Sequence, residues 1–127
     1  KYALRININS TRTVENMKAE VEWVRHLNRT SEINTPTPIA TLSDGYIVSG
    51  DHLDSGQKMY AVMYSWLEGE EIGDEPTMEQ LHEVGKSIAI LHQESADFTL
   101  SPDAKLPTFN DFFWGTEDFL FSEKSPK

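Results

Sequence analysis

The stretch Met59-Tyr60-Ala61-Val62-Met63-Tyr64-Ser65-Trp66-Leu67-Glu68-Gly69-Glu70 constrains this chain more than any other. It starts as an apolar strand, crosses Ser-Trp-Leu and breaks at a glycine among acids. The segments before it read as strands plus one helix, and those after it as mostly helix. A strand that feeds straight into a connector between two differently built halves is a hinge, and clefts at hinges bind small molecules.

Upstream, Tyr2, Leu4, Ile6 and Ile8 alternate with Ala3, Arg5 and Asn7, which is the period of a strand with one buried face. The second face puts a small side chain, Ala3, next to a long cation, Arg5. That pair suits a flat ring packed over Ala3 and an anion held by Arg5. On this segment alone Arg5 reads as a solvated strand residue, since most charged residues are exposed. Thr13 is placed to cap a helix starting at Val14, with Glu15 in its first turn. Val14, Met17, Val21, Val24 and Leu27 form its apolar stripe, widened by Trp23. Glu20 falls at the edge of that stripe and needs a partner, for which Arg5 is the lone cation on a neighbouring inner surface. Lys18, Glu22, Arg25 and Arg29 read as a solvated face.

Thr35-Pro36-Thr37-Pro38 is an extended linker, because each proline disfavours the helical region for the residue before it. Ile39 to Leu42 and Tyr46 to Ser49 read as strands joined by a Ser43-Asp44-Gly45 turn, and the apolar strand Met59 to Tyr64 follows. Thr77-Met78-Glu79-Gln80 is a capping box. Behind it Met78, Leu81, Val84, Ile88 and Leu91 predict a helix from Thr77 to about Ser95, with Gly85 and Ala89 small enough for close packing. Asn110 to Phe121 is rich in aromatics and reads as a short helix and turn that docks on the rest.

Several classes of chemistry are excluded or disfavoured. No cysteine is present, so there are no disulfides, thiolate metal sites or thiol nucleophiles, and the reducing cytoplasm is the preferred compartment. The net charge of −10, from 11 basic against 21 acidic residues, argues against nucleic acid and would welcome a cationic substrate. No apolar run is long enough to span a membrane. His26, His52, His82 and His92 lack metal-ligand spacing, and no GxSxG elbow or Walker-type glycine loop occurs.

Together, these segments resemble the aminoglycoside phosphotransferase/choline kinase-like family, which has a protein-kinase-like fold. The resemblance is carried by Tyr2-Ala3-Leu4-Arg5-Ile6-Asn7, by Ala19 to Leu27, by Pro36-Thr37-Pro38-Ile39, by Met63 to Gly69 and by Leu81 to His92. It implies an α+β fold built as a partial kinase. Residues 1–67 would supply antiparallel N-lobe strands with one αC-like helix up to the hinge, and residues 68–127 the first helices of the C-lobe. By resemblance, Arg5 matches the strand cation that touches the nucleotide α/β-phosphates, and Glu20 the helix acid paired with it. Many members have lysine at the first position, and the arginine here resembles a subgroup that includes homoserine-kinase-like members. Ser65 and Leu67 match the hinge positions whose carbonyl and amide read the adenine edge. Met63 or Tyr64 would line the back of that pocket and Ala3 would cover the ring.

The family's phosphate-covering strand-loop-strand should precede Tyr2, and its His-Gly-Asp-like catalytic loop and metal-binding aspartate should lie beyond Phe121. Asp51, Asp54, Asp103, Asp111 and Asp118 have no matching context, so no catalytic base or metal ligand is assigned. The expectation is therefore a fragment of an ATP- and Mg²⁺-dependent phosphotransferase. The full-length protein would move the γ-phosphate to a small-molecule hydroxyl acceptor, which the charge allows to be cationic. The alternatives are a nucleotide-binding module that transfers nothing, or an α+β interaction domain using the aromatic segment from Phe112 to Phe121.

Overall fold

The computed structural model describes residues 1–8 and 12–107. In chain order it contains strand β1 (Tyr2–Asn7), helix α1 (Val14–Thr30), strands β2 (Ile47–Asp51) and β3 (Lys58–Ser65), and helix α2 (Met78–Ala96). The three strands form one antiparallel sheet in the order β1-β3-β2, with β3 central. The register pairs Ala3 with Tyr64, Arg5 with Val62 and Ile47 with Val62. Because side chains alternate along a strand, Ala3, Arg5, Asn7, Tyr60, Val62, Tyr64 and Ile47 share one face of the sheet.

Helix α1 covers that face. Its N-terminus is closed by a reciprocal cap in which Thr13 Oγ1 accepts from the Asn16 N–H and Asn16 Oδ1 accepts from the Thr13 N–H. Met17 and Val21 pack against Val62 and Tyr64 to make the core, with Val24, Tyr46, Ile47 and Tyr60 around its rim. Met17 is 1% exposed, and its burial contributes on the order of 1.5–3 kcal/mol.

Two strand expectations are corrected. The alternation in β1 is present, but its apolar side is not the buried one: Tyr2, Leu4, Ile6 and Ile8 are 65%, 58%, 47% and 53% exposed. Helix α1 takes the opposite face because the large core groups of β3 lie there and Glu20 finds Arg5 there. The strand expected at Ile39 to Leu42 is reduced to a single bridge between Pro38 and Tyr64. Ile39 N–H donates to the Met63 carbonyl and Ser65 N–H to the Thr37 carbonyl, and the pairing goes no further because β2 takes the next positions of β3, from Val62 onward, and the Thr41 N–H turns to the Gly45 carbonyl. The expected turn follows, with Asp44 at φ 59°, a conformation that short polar side chains tolerate.

Helix α2 has the expected extent, capped by Thr77 and Gln80. None of its residues is buried. Met78, Leu81, Val84 and Ile88 stand exposed, and no described atom comes within 4 Å of where a Gly85 Cβ would lie. An amphipathic helix with an uncovered stripe is complete in its local signals and lacks a packing partner among the described residues. The segment expected at Asn110 to Phe121 lies outside the described residues.

Candidate functional site

The end of β3 and the inner face of β1 enclose a cavity of about 440 Å³. Ala3, Arg5, Glu20, Tyr64, Ser65 and Leu67 line it, with Pro36 and Trp66 at its edges. Strand pairing brings Ala3 opposite Tyr64, and α1 lays Glu20 over the same face. The proline linker fixes the far side of the β3 end, where the Thr37 N–H also donates to Ser65 Oγ at 2.8 Å. Beyond Ser65 the chain leaves the sheet. The Trp66 N–H is held by the Lys1 carbonyl at 3.2 Å, whereas the Leu67 N–H and carbonyl make no hydrogen bond among the described residues. Lys1 closes the outer side, with Nζ 4.1 Å from the Trp66 ring centroid and 3.4 Å from Glu68 Oε1.

Glu20 is the electrostatic centre. Arg5 Nη1 donates to its Oε1 at 2.5 Å, Tyr64 Oη donates to the same oxygen at 2.9 Å, and Arg12 Nη1 donates to Oε2 at 3.3 Å. Two guanidinium groups on one carboxylate leave a local charge of about +1 inside a chain of net −10. Burial of the Tyr64 phenol, reinforced by the Glu20 carboxylate it donates to, raises its pKa well above the ordinary tyrosine value. Tyr64 therefore remains a donor at any physiological pH. Arg5 uses only one of its three nitrogens on Glu20; Nε and Nη2 are buried and have no hydrogen-bond partner among the described residues. Such a group is placed to hold a further anion through two N–H donors.

Six of the seven residues singled out in the sequence converge here. Met63 does not. It pairs with Leu4, lies on the outer face of the sheet and borders a groove with Ile39 and Val48, so of Met63 and Tyr64 only Tyr64 lines the cavity. Two contributors escaped the sequence reading. Arg12 lies before the cap of α1 and carries no periodic signal. The Tyr64 hydroxyl was open to inference: a tyrosine on the buried side of a strand needs a partner for its O–H.

A second correction concerns the outer side of α1, read as a solvated face. The segment after α2 straps across it. The Ser101 N–H donates to Glu22 Oε2 at 3.0 Å, Lys18 pairs with Asp103 at 2.5 Å, and Asn16 Nδ2 donates to the Lys105 carbonyl at 2.7 Å. The Lys18 ammonium holds the Asp103 carboxyl below the usual carboxylate range. His26 stacks on Trp23, with Phe98 tilted against both rings. His26 Nε2 lies 3.1 Å from Glu94 Oε2, close enough for an ion pair when the imidazole is charged but not aligned as a hydrogen bond. Arg25 lies over the Tyr46 ring at 4.6 Å. Between α1 and this strap is a larger cavity of about 590 Å³, walled mainly by Trp23, Phe98, Leu100 and Leu106. Arg12 and Asn16 also line it, and Glu20 lines both cavities.

No group of three or more His, Asp or Glu residues among the described residues is arranged to hold a metal ion. No helix among the described residues is long and apolar enough to cross a membrane.

No family model matches the chain, and no curated protein matches it. Among solved structures it is similar to a microcompartment-associated aminopropanol kinase, with a TM-score of 0.64 and 22% identity. The match covers 77% of this chain and 30% of that one, so the chain spans under a third of that kinase's length. At this identity the likeness is one of fold. The three antiparallel strands and two helices form an α+β unit that fits part of a small-molecule kinase.

Proposed function

We propose that this chain is the nucleotide-binding side of a small-molecule kinase. In this reading adenine lies over Ala3, with the Ser65 carbonyl and Leu67 amide reading its edge and Tyr64 closing the pocket behind it. Arg5 takes the α/β-phosphates through Nε and Nη2, while Glu20 holds the guanidinium in place. The observation that carries the reading is that half-used guanidinium, anchored by a carboxylate beside a free hinge amide in a single cavity. Phosphoryl transfer asks a protein chiefly for positioning and charge stabilisation, and these residues supply the positioning. Mg²⁺, when bound, would neutralise charge on the β- and γ-phosphates.

The whole protein would pass the γ-phosphoryl group to a hydroxyl of a small molecule. An acceptor that also bears an amine is supported by the acidic charge of the chain and by the aminopropanol kinase to which it is similar. Titration of the full-length protein with ATP-Mg, wild type against Arg5→Ala, tests the reading. Binding should weaken at least tenfold on losing a charge-assisted bidentate contact. Equal affinity in both proteins would remove Arg5 from the site.

A further inference from the structure

Arg5 is not the only residue on its face with an unused donor. Asn7 follows it on the same side of β1, roughly 7 Å further along at the rise of a strand. Asn7 Nδ2 is also buried and without a hydrogen-bond partner among the described residues. Arg5 Nε, Arg5 Nη2 and Asn7 Nδ2 are thus three buried donors on one strand face, and no described acceptor serves any of them. Unsatisfied buried donors are uncommon, and each one carries a desolvation cost. Three of them together, all N–H and next to a site of net positive charge, specify the missing partner: an anion with several acceptor oxygens.

We infer that Asn7 is a second anion-binding residue, extending the Arg5 site along β1 so that it takes a polyphosphate chain and not a single phosphate. The inference rests on the nucleotide reading above and adds to it a residue and a length. A chain of linked phosphates offers oxygens at successive positions, which matches donors spaced along a strand. Asn7 itself does not line the cavity, but its carboxamide turns about a broad terminal torsion, so Nδ2 is free to reorient without disturbing the backbone.

The test is calorimetric titration of the full-length protein with inorganic tripolyphosphate, ATP-Mg and adenosine. Wild type is compared with Asn7→Leu, Asn7→Asp and Arg5→Ala. Asn7→Leu should weaken tripolyphosphate and ATP-Mg about tenfold, the value of one charge-assisted hydrogen bond, and leave adenosine unchanged. Asn7→Asp preserves the shape of the side chain, so it reports even where the leucine variant does not fold, and should weaken both anions further by adding a carboxylate. Wild-type affinity for tripolyphosphate in both Asn7 variants overturns the inference, as does a wild-type protein that does not bind tripolyphosphate. If Arg5→Ala alone loses ATP-Mg, the nucleotide reading stands and the role of Asn7 falls. If no variant changes ATP-Mg affinity, both fall.

Discussion

Tyr64→Phe isolates the hydrogen bond that joins β3 to Glu20. The substitution removes Oη and almost nothing else, leaving the ring in the core with Met17, Val21 and Val62. A hydrogen bond to a charged group contributes roughly 1.5–3 kcal/mol. The lower part of that range applies, because Glu20 keeps both Arg5 and Arg12 and is a quarter exposed, so its carboxylate is not stranded. The expected cost is about 1.5 kcal/mol, or roughly 4–8 °C in Tm for a chain of this size. The pH dependence is more specific. Because the phenol pKa is raised in the folded state, the native protein binds that proton more tightly than the unfolded chain does. Its contribution is complete below the ordinary value of 10.0 and is lost as pH climbs from there toward the folded-state value. Urea unfolding of wild type and Tyr64→Phe between neutral pH and pH 11 measures both effects. Wild type should lose stability above pH 10 with a steeper slope than the variant. Equal stability at neutral pH together with parallel alkaline slopes would refute the Tyr64–Glu20 bond.

Met17→Ala should cost about 2–5 kcal/mol in the same unfolding assay, since the side chain is fully buried between α1 and β3. Asn16→Ala loses the Asn16 Oδ1 half of the reciprocal cap and the Lys105 contact, keeps the bond from its own N–H to Thr13 Oγ1, and should cost about 1 kcal/mol, with amide exchange quickening in the first turn of α1. Leu81→Ala should cost far less than a core leucine in the present chain, because the side chain is half exposed. In the full-length protein it should approach about 2–5 kcal/mol if further helices cover α2. Equal small costs in both proteins would mean that the α2 stripe has no partner in either.

What could be read from the sequence divides along physical lines. Local signals were reliable: the cap at Thr77, the stripe from Met17 to Leu27 and the alternation of β1 each depend on neighbours within a few residues. The choice of face was not local. Tyr2, Leu4, Ile6 and Ile8 form the more apolar side of β1, yet α1 follows Val62 and Tyr64, and only the register with β3 reveals that. The same limit hid the strap over α1, because Ser101, Asp103 and Lys105 lie in a loop with no period to read. The Arg5–Glu20 pair was accessible for a different reason. A carboxylate at the edge of an apolar stripe demands a cation, and the neighbouring inner surface offered one. The strand expected at Ile39 failed because β2 holds the β3 edge that it would have used, a competition that no local pattern shows.

The central claim is a location: nucleotide binds between Ala3, Arg5 and the Leu67 amide. Backbone amide shifts of the full-length protein, followed by NMR while ATP-Mg is added, test it most directly. Saturable shifts at Ala3, Ser65 and Leu67, with Val48 and Leu81 unmoved, are the expected result. Shifts gathered instead around Trp23, Phe98 and Leu100, or none at Leu67 at saturation, would contradict it.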